Sequence, residues 1–255
     1  MSFDVSRTSY DQYMGRYSNR LAHDFTAFAG LTPDDSVLDV GCGPGALTEV
    51  LAGAVTRVAA ADPSEPFAEA CRRRVPAADV RQAPADDLPW DDETFDAVVA
   101  QLVINFLPDA DAGVAEMARV ARPGGTLAAC TWDYAAGMQM LMTFWQAAQD
   151  VDPGARNESS AMHYITAPEL RDLWQRSGLT DIRTEQLVVS AEYADFADYW
   201  SPFLLGVGPG GAYVSRLPPD QVDRVHDACF RRLGNPAGAF TLTARAVAVS
   251  GRRPD

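Results

Sequence analysis

The chain has 255 residues, of which 47% are hydrophobic and 22% charged, and it carries a net charge of −14. It is long enough to bury a core without disulfide or metal staples, and its negative field makes nucleic acid and anionic membrane poor partners. No apolar run approaches the roughly 20 residues that span a bilayer, the first residues hold no apolar signal core, and every basic side chain is arginine, which removes lysine Schiff-base chemistry. A cytoplasmic protein, monomer or homodimer, is the expectation.

In chain order, a polar N-terminal segment (1–29) precedes an apolar run, Ser36 to Val40, which ends at glycines and predicts the first strand. Gly41-Cys42-Gly43-Pro44-Gly45 follows, and a helix is expected from about Ala46. Arg57 to Ala61 reads as the second strand, ending at Asp62, and Asp79 to Gln82 as a weak third. Phe95 to Ala100 is the fourth, helical spacing runs from Asp111 to Val120, and a turn at Arg122-Pro123-Gly124-Gly125 enters the fifth, Thr126 to Thr131. Thr166-Ala167-Pro168-Glu169 has the pattern of a capping box, with Gly178 as the helix stop. A sixth strand is expected over Ile182 to Ser190 and a seventh over Phe240 to Ser250.

This alternation predicts a single α/β domain with a mostly parallel, seven-stranded sheet. Its core is read as 30–132, 166–190 and 240–251. Two stretches rich in aromatics, Met, Gly and Pro, 133–165 and 191–239, break the pattern and are read as insertions forming a helical lid. Within the second, Gly208 to Gly211 reads as a hinge or tight turn. The scattered Cys42, Cys71, Cys130 and Cys229 form no CxxC pair and read as buried thiols.

The glycine loop lets backbone approach a ligand, and the helix after it offers free N–H groups. Asp62, closing the second strand, can accept hydrogen bonds from both hydroxyls of a ribose. Gly41 to Ala46 also satisfies the loose dehydrogenase fingerprint, so a nicotinamide cofactor stays open as an alternative. Asp39 and Pro44 pull away from it, one by placing a charge in the first strand and the other by stiffening the loop where a pyrophosphate needs N–H donors.

Taken together, these residues resemble class I S-adenosylmethionine-dependent methyltransferases of the small-molecule type, related to the ubiquinone and menaquinone C-methyltransferases. Val37 to Gly45 resembles that family's first motif and Asp62-Pro63-Ser64 its ribose motif. Ala85 to Trp90, with Glu93 to Val99, resembles its adenine loop and fourth strand, and Ala118 to Leu127 its approach to the fifth. The resemblance implies a Rossmann-like fold, S-adenosylmethionine as cofactor and a small-molecule acceptor. It implies that Gly41, Gly43 and Gly45 border the methionine part, that Asp39 supports the ammonium, and that Asp62 grips the ribose. It further implies that Pro63 lies against the adenine, that Ala85 and Asp86 read its edge, and that Gln101 faces the reacting centre. One departure stands out: many relatives carry Gly-Asp just before this Ala, where Ala83 and Pro84 stand here. The stretch Tyr10 to Ser18 resembles the family's pre-motif segment, in which Arg16 would bind the cofactor's carboxylate; a solvated helix face is the alternative.

Methyl transfer needs no metal, and His23, His163 and His226 have no ligand-like spacing. Candidate bases for a protonated acceptor are His163, Tyr164, Asp133 and Tyr134, with His163 the closest to neutral in ordinary pKa. Trp132, Trp145, Trp200, Phe203 and Tyr213 are candidates for an acceptor pocket or for plain lid core. A cofactor-binding, non-catalytic partner subunit is the remaining alternative.

Overall fold

Strands β1 (Ser36–Val40), β2 (Arg57–Asp62), β3 (Asp79–Gln82), β4 (Phe95–Gln101), β5 (Ala121–Trp132), β6 (Thr180–Tyr193) and β7 (Phe240–Arg252) form one sheet in the computed structural model. Residues 11–157, 162–206 and 208–255 are described. The strand order is β3-β2-β1-β4-β5-β7-β6. β1 is buried along its whole length and pairs in parallel with β2 on one side and β4 on the other. Burial on both faces is why its sequence reads as a continuous apolar run. Chain order reverses between β1 and β4, and such a reversal opens a crevice beyond the strands' carboxyl ends.

Most of the sheet is parallel, but β7 runs against β5. Gly124 donates to the Arg253 carbonyl at 2.9 Å and Arg253 donates back to Gly125 at 3.0 Å, while past the other end of β5 Asp133 donates to Arg245 at 2.9 Å. The expected turn at Arg122 to Gly125 lies inside β5 as a bulge: Gly124 has φ +71°, and the register against β4 jumps from Ala121 opposite Phe95 to Thr126 opposite Ala97. A Cβ on Gly125 would lie 2.7 Å from the Arg122 carbonyl, so the glycine is what lets the strand kink and continue.

The helices are α1 (Arg16–Ala29), α2 (Ala46–Ala54), α3 (Glu65–Arg74), α4 (Ala110–Val120), α5 (Gln139–Val151), α6 (Ala167–Arg176), α7 (Phe196–Leu204), α8 (Gly208–Val214) and α9 (Pro219–Arg232). The capping box forms as expected, with Thr166 and Glu169 each bonded to the other's backbone amide. Two compact units divide the chain. One comprises Ser18–Thr131, His163–Leu187 and Ala246–Asp255, and its core sets Leu38, Val98 and Leu127 of the sheet with Met117 and Trp174 of the helices.

The other comprises Met1–Tyr17, Trp132–Met162 and Val188–Arg245. Here Phe144 of α5 stacks on Phe203 of α7 with ring centroids 4.3 Å apart, and Arg232 of α9 pairs with Asp150 of α5 at 2.8 Å. The run Gly208 to Gly211 is not a tight turn, because it opens α8. A Cβ on Gly210 would stand 3.0 Å from the Phe203 ring, so small residues let this helix settle on the stacked aromatics. No described helix is long and apolar enough to cross a membrane.

Candidate cofactor site

The glycine loop is pinned from below. The amides of Gly41 and Cys42 both donate to the Ala61 carbonyl, at 2.7 and 3.0 Å, which ties the loop to the end of β2. Gly41 has φ +73°, and a Cβ there would collide with the side chain of Val103, from the segment following β4. Gly43 has φ +52°, and a Cβ on it would meet nothing within 4 Å. The loop is therefore packed shut at Gly41 and open at Gly43. Gly45 ends it and leads into α2.

One carboxylate holds this opening, and a second lies buried in the strand that leads into the loop. Asp62 is 7% exposed. Its Oδ2 accepts from the Gly43 amide and its Oδ1 from the Ser64 amide, each at 2.9 Å. Burial pushes its pKa up, and the two amides oppose that. Each oxygen keeps a second lone pair, so a vicinal diol can still be bound. Asp39 is buried inside β1. Its Oδ2 accepts from the Thr48 hydroxyl at 2.7 Å, while its Oδ1 is buried with no hydrogen-bond partner among the described residues. Burial pushes this carboxyl up to about 7, against the pull of Thr48.

At the end of β4, Gln101 donates from Nε2 to the Ser18 carbonyl at 3.1 Å and leaves Oε1 buried without a partner. Leu102 then adopts φ +64°, a strained value for a residue with a side chain. Ala85 is buried, whereas Pro63 and Asp86 are exposed, and Gln82 reaches the Pro63 carbonyl at 3.1 Å. These residues suit an adenosyl cofactor bearing an amino acid. An orphaned acceptor on Asp39 can meet an ammonium, open space at Gly43 admits the ligand, and Asp62 supplies a diol acceptor. Among the sequence candidates, the structure gathers the glycines, Asp39 and Asp62 around one loop. Sequence reading overlooked Thr48, which orients Asp39, and Val103, which closes the Gly41 side.

Other candidates are placed differently. Arg16 is held by Asp198, with Nη2 to Oδ1 at 2.8 Å and Nη1 to Oδ2 at 3.3 Å, and its guanidinium lies 4.2 Å over the Tyr193 ring. His163 is exposed, its ring 6.3 Å from that of Tyr164. Tyr164 in turn bonds Arg176 at 3.0 Å, and Asp133 is paired with Arg245. Trp132, Trp145, Trp200 and Phe203 are buried, with Trp200 and Phe203 centroids 5.8 Å apart and Trp145 and Tyr213 centroids 5.6 Å apart. All four cysteines are free and buried. Among the described residues no group of three His, Cys, Asp or Glu side chains could hold a metal ion.

A parallel sheet with a glycine loop after β1 and an acid closing β2 defines a Rossmann-like, nucleotide-cofactor protein. Residues 38–129 match the family model of the methyltransferase domain. A demethylmenaquinone methyltransferase of Mycobacterium sp. (strain JLS) is 36% identical over 130 residues, 50% of this chain and 54% of that protein. Its counterpart in Mycolicibacterium gilvum is 42% identical over 129 residues, with the same 50% and 54% coverage. The chain thus spans about half the length of these curated relatives. A solved SAM-dependent methyltransferase of Thermotoga maritima aligns with a TM-score of 0.53 at 17% identity, over 97% of this chain and 100% of that one, a likeness of fold. Residues 38–129 thus match a methyltransferase domain, and about half of the chain is similar to the demethylmenaquinone methyltransferases.

Proposed function

We propose that this protein transfers a methyl group from S-adenosylmethionine to a small-molecule acceptor by in-line displacement. The observation that carries the reading is the opening at Gly43, bonded to Asp62, together with the unpartnered Oδ1 of Asp39 in the strand before the loop. When bound, the cofactor supplies an electrophilic methyl on a sulfonium that loses its charge as the methyl leaves. The chain's own task is to hold and orient. Asp62 binds the ribose while fixing Gly43, Asp39 receives the ammonium, Ala85 and Asp86 line the adenine with Pro63, and Gln101 stands at the reacting end. Alignment and exclusion of water supply the rate, so an ionisable base is required only for a protonated acceptor. His163 is the candidate for that role, and its exposure favours a reaction that does without it. Arg16, engaged by Asp198, would have to exchange that partner before binding a carboxylate.

Part of the acceptor choice is assigned to the segments 133–165 and 191–239, which lie outside the matched residues 38–129 and carry α5 and α7 to α9. In this proposal they act as the lid. The acceptor of the curated relatives, named for demethylmenaquinone, makes a quinone-like ring one candidate.

Thermal unfolding tests the cofactor. S-adenosylhomocysteine at a hundredfold its Kd should stabilise the protein by about 2.7 kcal/mol, and NADH should leave it unchanged. A shift with NADH and none with S-adenosylhomocysteine would establish the nicotinamide alternative instead.

A further inference from the structure

The segment after β4 holds polar atoms that neither the fold nor the cofactor contacts above employ. Asn105, in the short helical turn Ile104–Phe106, buries both Oδ1 and Nδ2 with no hydrogen-bond partner among the described residues, and Gln101 does the same with Oε1. The Gln101 amide is oriented by its bond to the Ser18 carbonyl, so its free end is an acceptor. Buried side-chain polar groups are normally paired, and an amide with both ends unpaired, close in sequence to one with a free acceptor, calls for an external partner.

This loop borders the cofactor site at both ends. Val103, between the two amides, fills the space beside Gly41. Leu107 occupies the space where a Cβ on Gly113 would stand, and Ala85 of the adenine loop lies 3.7 Å from the same point. Just before Val103 the backbone passes through the strained Leu102 at the switch between β1 and β4. Such strain persists where the surroundings impose it, and it gathers at ligand sites.

We propose that Asn105 and Gln101 bind the methyl acceptor and read on it a neutral edge carrying a donor beside an acceptor, of the carboxamide or lactam kind. The proposal rests on the methyltransferase reading above. A side-chain amide can exchange two hydrogen bonds with such an edge, one given and one taken, and a further N–H of a primary carboxamide satisfies Gln101 Oε1. Neither amide carries charge, so a carboxylate or ammonium would be desolvated here without neutralisation. That sets this pair apart from Asp39 and Asp62, whose charges suit the cofactor.

The test uses benzamide, which has the donor–acceptor edge, and acetophenone, which keeps the carbonyl and lacks the donor. Both are titrated by saturation-transfer NMR into the whole protein saturated with S-adenosylhomocysteine. The wild type should prefer benzamide by about tenfold, the worth of one to two net hydrogen bonds. In Asn105→Leu, which keeps similar bulk, that preference should vanish. Cofactor affinity should stay within about twofold, and the melting temperature of the free protein should hold or rise because an unpaired amide is gone. Asn105→Ala gives the same reading if the leucine variant does not fold. Equal binding of the two probes by the wild type overturns the proposal. A tenfold loss of cofactor affinity in the variant would make Asn105 a cofactor residue. A lower melting temperature with the benzamide preference intact would make it a structural residue. Failure of the wild type to bind S-adenosylhomocysteine at all would show separately, and would remove the methyltransferase reading along with this one.

Discussion

Replacing Asp39 with Asn should make the free protein more stable and its grip on the cofactor weaker. The carboxyl titrates ordinarily at 3.8 and, buried in β1, at about 7. An unfolded chain therefore gives up this proton first. This carboxyl's own contribution to stability is greatest below about pH 4, where both states hold the proton, and falls as the pH rises toward 7. The separation between 3.8 and about 7 corresponds to roughly 4 kcal/mol. Asparagine keeps a partner for Thr48 and carries no charge, so Asp39→Asn escapes that loss. Urea unfolding of the two proteins should give a gap near zero at pH 4 and one of a few kcal/mol above pH 7. Binding reverses the order. A cationic amino group beside Oδ1 favours the ionised carboxylate, so S-adenosylhomocysteine affinity in the wild type should fall by up to about tenfold per unit as the pH drops below 7. Calorimetry at pH 6 in two buffers of different ionisation enthalpy should show a proton released on binding. Asp62 is also pushed up by burial, so the comparison with the variant is what isolates Asp39. Parallel unfolding profiles, or the same pH slope of affinity in both proteins, would refute the reasoning.

Two further outcomes follow from the site. Gly43→Ala should fold, at a cost of roughly 1–2 kcal/mol for its positive φ, and should lose S-adenosylhomocysteine binding in calorimetry, whereas Gly41→Ala should be visibly less stable because its methyl group meets Val103. His163→Ala should keep turnover within about twofold, and a fall of about a hundredfold with unchanged cofactor affinity would instead establish His163 as the base.

β1, β2 and β4 were legible because strands buried on both faces leave uninterrupted apolar runs, and Asp39 announced itself as a charge within one of them. The α6 cap was equally plain, since Thr166 and Glu169 satisfy each other within a single turn. Misreadings arose where tertiary contacts overrule local chemistry. Arg122 to Gly125 has the composition of a turn and does turn at Gly124, but pairing with the far end of the chain at Arg253 holds this bulge within β5. Gly208 to Gly211 has the composition of a turn and opens a helix instead, in which Gly210 lets the backbone settle against Phe203 and Phe144. The bond of Asp62 to Gly43 could not be read from spacing, although the acid itself could. Arg16 was read as a ligand for the cofactor's carboxylate or as part of a solvated helix face, and its pairing with Asp198 was hidden because that partner lies on another element far along the chain. Asn105 sits in an apolar run without any motif, and only its burial without a partner reveals it.

The central claim is that a methyl group leaves the cofactor for a small molecule. Incubating the protein with methyl-labelled S-adenosylmethionine and a small-molecule library, then separating products by mass, tests it directly. The account predicts a labelled product heavier than its parent by one methylene, formed together with S-adenosylhomocysteine and absent with Gly43→Ala. Cofactor that binds and is never consumed, with no labelled product from any acceptor, would contradict the account and make this protein a non-catalytic binder on the same fold.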